Sequence, residues 1–264
     1  MLRRVIDVLF PHRCAGCGAG GPEAWPFCFV CLRELVVLTP PGCARCGMPV
    51  EVEMASCRHC PPPEVSSSRA PFLYTGPVRT ALLHLKFDGW RSVAEALGRA
   101  MATLAEPADA ITWVPLAPKR RAGRGYDQAR ALATVTARAT GVPLRALLAR
   151  TRDTEPQTSH RGAERRAAML GAFRATGRAP RRVILIDDVF TTGATAAACA
   201  RALRDAGAAD VYVVTAARAV VGRVPARCYA PQGSRPSLWL PGTDVPEVDA
   251  SRRRSDPRKG TVGS

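Results

Sequence analysis

Apolar residues without a polar face mark the buried strands of this chain. Val183, Ile184, Leu185 and Ile186 run together, the pattern of a strand covered on both sides, as in a parallel sheet under helices. The Ala-rich stretch 196–206 that follows predicts a helix with Gly207 at its C-terminal cap. Ile111–Leu116 and Leu144–Ala149 predict further strands, Asp210–Ala217 a last one, and Phe72–Tyr74 an edge strand. Helical spacing instead governs Pro77–Lys86, where Val78, Ala81, Leu82 and Leu85 share a face, and Ser92–Leu104, with Val93, Leu97, Ala100, Met101 and Leu104. A further helix is expected from near Tyr126 to Gly141.

The chain's 264 residues suit one main domain plus a module. Residues 1–60 hold the module, and 61–69, PPPEVSSSR, read as a linker by composition. The main domain then spans 70–222, and 223–264, rich in Pro, Gly, Ser and charge, is expected as a disordered basic tail. The opening MLRRVIDVLFP is broken by Asp7 and makes no export signal, and no apolar run reaches the length of a membrane span. A cytoplasmic location is expected. The net charge of +16 suits phosphorylated ligands or nucleic acid. Only Lys86, Lys119 and Lys259 are lysines, so nearly all of that charge is arginine, the balance expected of a GC-rich coding sequence.

The chemistry is legible where the 183–186 strand emerges. Asp187 and Asp188 come first, then Thr191-Thr192-Gly193-Ala194-Thr195 before the helix. A loop at a helix N-terminus offers unpaired N–H groups beside the positive end of the dipole, Gly193 lets an anion approach the backbone, and the threonine hydroxyls add donors. That describes a seat for a sugar 5′-phosphate. The two carboxylates accept hydrogen bonds from vicinal ribose hydroxyls and help hold a hydrated Mg²⁺. Upstream, the strand ending at Pro115 enters a loop with Lys119, Arg120, Arg121 and Arg124 and two glycines, the place where an open α/β sheet binds anions and here a seat for pyrophosphate; a solvated basic loop is the plain alternative. The segment 150–169 shows no strand pattern, and its Arg150, Arg152, Gln157, Arg161, Arg165 and Arg166 suit a loop that closes over pyrophosphate; Gly162–Leu170 equally suits an amphipathic helix.

Eight of the ten cysteines form four C-x-x-C pairs, Cys14/Cys17, Cys28/Cys31, Cys43/Cys46 and Cys57/Cys60. Two such knuckles make the tetrahedral sulfur set that Zn²⁺ prefers, and ten residues between the first two pairs and between the last two predict two sequential ribbons, hence about two structural zinc ions. A disulfide module fits a reducing compartment poorly, and four redox pairs lack a thioredoxin-like context. His12 and His59 are expected as surface residues rather than ligands.

The stretch Ile184 to Thr195 resembles the phosphoribosyl pyrophosphate (PRPP) signature of type I phosphoribosyltransferases. Together with the cysteine ribbon, Val114-Pro115, Arg124-Gly125-Tyr126-Asp127-Gln128 and Pro156-Gln157, the chain is similar over residues 10–220 to the competence protein F (ComF) family of bacterial natural transformation. The resemblance implies a type I phosphoribosyltransferase fold, a parallel sheet of about five strands with helices on both faces and a hood, preceded by the double zinc ribbon. It implies displacement of pyrophosphate from Mg²⁺-PRPP by an acceptor nucleophile. Asp187 and Asp188 are then the catalytic, ribose-binding pair, Thr191, Thr192, Gly193, Ala194 and Thr195 the 5′-phosphate loop, and Lys119, Arg120, Arg124, Gln157 and Arg165 the pyrophosphate contacts. Where the family carries E-R-x-x-N this chain reads Glu164-Arg165-Arg166-Ala167-Ala168, without the asparagine. Two classes stay open: a transferase, or a PRPP-sensing adaptor that handles single-stranded DNA with other competence proteins.

Overall fold

The computed structural model describes residues 13–20, 26–38, 42–50, 52–117, 123, 125–151 and 171–220. In chain order the elements are α1 (Phe29–Arg33), β1 (Ser67–Arg69), β2 (Phe72–Leu73), α2 (Gly76–Phe87), α3 (Arg91–Ala102), β3 (Ala110–Trp113), α4 (Gln128–Thr140), β4 (Leu148–Arg150), β5 (Phe173–Ala175), β6 (Arg182–Phe190), α5 (Ala194–Asp205) and β7 (Asp210–Arg218). Among the described residues no helix is long and apolar enough to cross a membrane.

Strand β6 sits inside a parallel sheet, with β3 on one side and β7 on the other, and β1 and β2 both pair along the far side of β7. This is the expected five-stranded parallel sheet. Side chains on β6 alternate between two cores. Ile184 and Ile186 meet Leu82 and Leu85 of α2, Leu97 and Met101 of α3, and Leu132 of α4. Val183 and Leu185 meet Cys199 and Leu203 of α5 beside Val211 and Val213 of β7. Both faces are covered, which is why four successive aliphatics belong here.

Local signals set the helix ends. The Asp127 side chain caps α4 by accepting the Arg130 N–H at 3.1 Å, and it also takes the Leu116 N–H at 3.3 Å, tying the end of the β3 segment to that helix. Gly141, at φ 73°, closes α4 in the left-handed conformation.

The structure departs from the sequence pattern in four places. The strand at 183–186 does not stop before the acids: β6 continues to Phe190 because β7 runs alongside it, with Asp187 opposite Thr215 and Phe190 opposite Arg218. Leu144–Ala149 is not one strand of the sheet. Leu144 makes a single parallel bridge to Ile111, and only Leu148–Arg150 forms a strand, paired antiparallel with β5 away from the main sheet.

Residues 61–69 are not a spacer either. Ser67–Arg69 form β1, Val65 is fully buried, and Ser66 binds the β7 edge, its N–H to the Val211 carbonyl and its hydroxyl to Asp210. Nor do the two modules keep separate cores. Cys14, Ala15, Phe27 and Cys31 join the same apolar cluster as Val78, Ala81 and Leu82, and a Cβ on Gly16 would lie 2.7 Å from Cys31 Sγ and 2.8 Å from Pro77 Cβ.

Candidate functional site

At the C-terminal end of β6 the alternation of the strand sends the two acids to opposite faces. Asp187 points to the α5 side, where it lines a pocket with Val114, Phe190, Thr191, Gly193, Ala194, Thr195 and Thr215. Its Oδ1 accepts the Asp188 N–H at 2.9 Å. Burial, and then the neighbouring Asp188 charge, hold the Asp187 carboxyl well above the usual carboxylate range. Asp188 is 6 % exposed and lies on the α2 side, with Oδ1 accepting the Val189 N–H and Oδ2 2.6 Å from Lys86 Nζ. Burial pulls Lys86 down, but Asp188, Tyr74 and Asp187 more than reverse it and keep the ammonium above its ordinary value.

Lys86 is the site residue that sequence reasoning missed. Its signal was compositional: a lysine kept at the end of an apolar helix face in a chain with three lysines among 38 basic residues.

The loop after β6 turns directly into α5. Gly193 is the N-cap of α5 at φ 76°, and a Cβ there would lie 2.7 Å from Phe190 Cζ and 2.8 Å from Pro62 Cδ, so both the conformation and the space demand glycine. The first helical bond is Ala197 N–H to the Gly193 carbonyl at 2.8 Å. Helix geometry therefore leaves the N–H groups of Ala194, Thr195 and Ala196 without a helical acceptor, beside the exposed Thr191 and Thr192. The structure thus brings together Asp187, Thr191, Gly193, Ala194 and Thr195 and places Asp188 behind them with Lys86. Lys119, Arg120, Arg124, Gln157, Arg165 and Ala168 lie outside the described residues.

The cysteines close into the two expected sets, Cys14, Cys17, Cys28 and Cys31, and Cys43, Cys46, Cys57 and Cys60, with the sulfurs of each set within 4.8 Å of one another. Sγ–Sγ distances of 3.6 Å for Cys17 and Cys28, and 3.5 Å for Cys43 and Cys60 and for Cys46 and Cys57, compare with the edge of about 3.8 Å in a tetrahedron of Zn–S bonds. Backbone N–H groups already point at the sulfurs, from Gly16 and Cys28 to Cys14 and from Cys57 to Cys60. Burial pushes Cys14 up, but the N–H groups of Cys28, Cys17 and Gly16 outweigh it and bring that thiol to about 6; Cys43 is lowered in the same way to about 7. Thiolates are what zinc binds; without the ion only one sulfur of each set is favoured as thiolate, and burial pushes Cys31 and Cys46 up. Each set fits one ion, about two structural zinc ions per chain. His59 stands outside the set, with Nε2 accepting from Arg58 Nε at 3.1 Å.

Comparison with known proteins agrees with this geometry. Residues 5–61 match the double zinc ribbon domain family. The chain is 31% identical over 209 residues to the DNA utilization protein YhgH of Salmonella typhimurium, covering 72% of this chain and 88% of that protein. It is 29% identical over 195 residues to Competence protein F of Haemophilus influenzae, covering 68% and 85%. With Competence protein ComFC of Streptococcus pneumoniae the identity is 32% over 157 residues, covering 58% and 68%.

Proposed function

The chain belongs to the competence protein F (ComF) family of phosphoribosyltransferase-like proteins, and from that premise we propose that it binds Mg²⁺-PRPP in the β6–α5 cradle and displaces pyrophosphate with an acceptor nucleophile, in the cytoplasm and in the service of DNA uptake. The observation that carries this reading is the convergence of Asp187 with Thr191, Gly193, Ala194 and Thr195 on one pocket. The 5′-phosphate sits on the N–H groups at the start of α5 and on the hydroxyls of Thr191, Thr192 and Thr195. Asp187 accepts the ribose hydroxyls from the α5 side, and Asp188, held by Lys86, presents its carboxylate from the other. Mg²⁺ arrives with the substrate's pyrophosphate, Lys119, Arg120, Arg124 and Arg165 complete the neutralisation of that leaving group, and the Gln157 amide adds a neutral donor.

In the step itself, the bond between C1 and the pyrophosphate oxygen breaks as the acceptor's electron pair forms the new bond to C1, and the acceptor's proton passes to solvent. The protein's share is positioning and charge neutralisation, which needs neither a nucleophilic side chain nor a covalent intermediate.

A second reading, a PRPP-sensing adaptor that handles single-stranded DNA with competence partners, is favoured by Ala168 at the family's asparagine position. Pyrophosphate release, assayed with Mg²⁺-PRPP and a panel of nucleobases, separates the two. Release with one acceptor supports the transferase; tight PRPP binding with no release from any acceptor supports the sensor.

A further inference from the structure

The second cysteine set lies behind the phosphate loop, and two chains of contact run from one to the other. The first passes through Arg218, the last residue of β7, which stands opposite Phe190 in register and is 4 % exposed. Its guanidinium donates to the Cys46 carbonyl at 3.4 Å, to Ser68 Oγ at 3.0 Å and to the His59 carbonyl, and its centre lies 4.7 Å from the centroid of the Phe190 ring. Both carbonyls belong to the metal site: Cys46 is a ligand, and His59 lies between Cys57 and Cys60. The Phe190 ring then presses on Gly193. The second chain starts at Arg45, between Cys43 and Cys46, whose Nη2 donates to the Pro62 and Val65 carbonyls at 3.1 Å each, and Pro62 is the other residue against Gly193.

We propose that Arg218 is a positioning residue through which the second cysteine site holds the phosphate loop, so that metal in that site and a phosphosugar in the cradle stabilise one another. This inference rests on the PRPP reading of the cradle. A buried guanidinium demands its acceptors, and its planar fork accepts only one arrangement of them. When the metal leaves, the loops carrying Cys46 and His59 lose their anchor, Arg218 loses two carbonyls, and the Phe190 ring no longer fixes the left-handed Gly193 from which the N–H groups of α5 fan out. Close-packed contacts of this kind switch between arrangements rather than deform smoothly. Linkage makes the effect reciprocal: a ligand on the loop must slow loss of the metal.

The test uses the full zinc-loaded chain and ribose 5-phosphate as probe. Zinc release to a chromogenic chelator is followed with and without saturating ligand, and ligand affinity is measured by calorimetry before and after partial chelation. One of the two zinc ions should leave several-fold more slowly with ligand bound. Arg218→Lys, which keeps charge but not the fork, should retain both zinc ions, weaken ribose 5-phosphate by about tenfold, and abolish the protection. If Arg218→Lys fails to fold, the wild-type release rates still decide. Ribose 5-phosphate that binds the wild type yet leaves both release rates unchanged overturns the coupling alone. No binding to the wild type overturns the cradle reading on which the coupling stands.

Discussion

Replacing Lys86 by Met removes the ammonium and keeps most of the apolar stem. It leaves the Asp188 carboxylate, whose side chain is 9% exposed, with its Oδ1 bond to Val189 but without the charge 2.6 Å from Oδ2. Breaking a buried pair from one side costs about 3–5 kcal/mol. Lys86 keeps 21% exposure, so the lower end applies, about 3 kcal/mol. The penalty belongs to the orphaned charge, so Asp188→Asn in the same chain should return most of it. Urea unfolding at pH 7.5 in the presence of zinc, followed by tryptophan fluorescence, measures the double-mutant cycle. Lys86→Met should cost about 3 kcal/mol, Asp188→Asn about 1 and the double variant about 1, a coupling of roughly 3 kcal/mol. A coupling below about 0.5 kcal/mol, the size of an exposed pair, would refute the claim that Lys86 holds Asp188.

Asp187→Asn should stabilise the fold while weakening PRPP. The carboxyl is raised by burial and by Asp188, so below about pH 4 it is protonated folded and unfolded alike and costs nothing. As the pH rises the unfolded chain ionises first, so the gain in Tm from Asn should be larger at pH 7.5 than at about pH 4; equal gains would contradict the raised carboxyl. Thr192→Val, at an exposed position, should change stability by less than about 0.5 kcal/mol and still weaken ribose 5-phosphate. Gly193→Val should destabilise outright through its φ and its contacts with Phe190 and Pro62. Calorimetric melts with ligand titrations check both. Metal analysis should return about two Zn²⁺ per chain, and Cys14→Ser with Cys17→Ser should lower the melting of the whole main domain, because that knuckle shares its core; an unchanged main transition would show the cores to be independent.

The residues that carry their own explanation were legible from sequence. Val183 to Ile186 have no polar face and had to be covered on both sides, Asp127 and Gly141 mark the ends of α4 locally, and the cysteine spacing alone pairs the ribbons. What escaped depends on partners far along the chain. Ser66 to Ser68 look like a linker because their hydroxyls carry no pattern, yet they meet Asp210, Arg204 and Arg218 about 140 to 150 residues away. The helical pattern of 77–86 gives Lys86 no role, and only the fold brings Asp188 of β6 to it. The merging of the first ribbon with the main core is likewise a matter of Phe27 and Cys31 meeting α2, a contact without a local signature.

Everything proposed for this chain depends on the β6–α5 turn binding a phosphoribosyl group. Isothermal titration of the zinc-loaded chain with Mg²⁺-PRPP tests it most directly. Binding should be saturable at one site per chain, and weakened by Asp187→Asn and, separately, by Thr192→Val. An absence of heat and of competition by ribose 5-phosphate at millimolar PRPP with Mg²⁺ would contradict it.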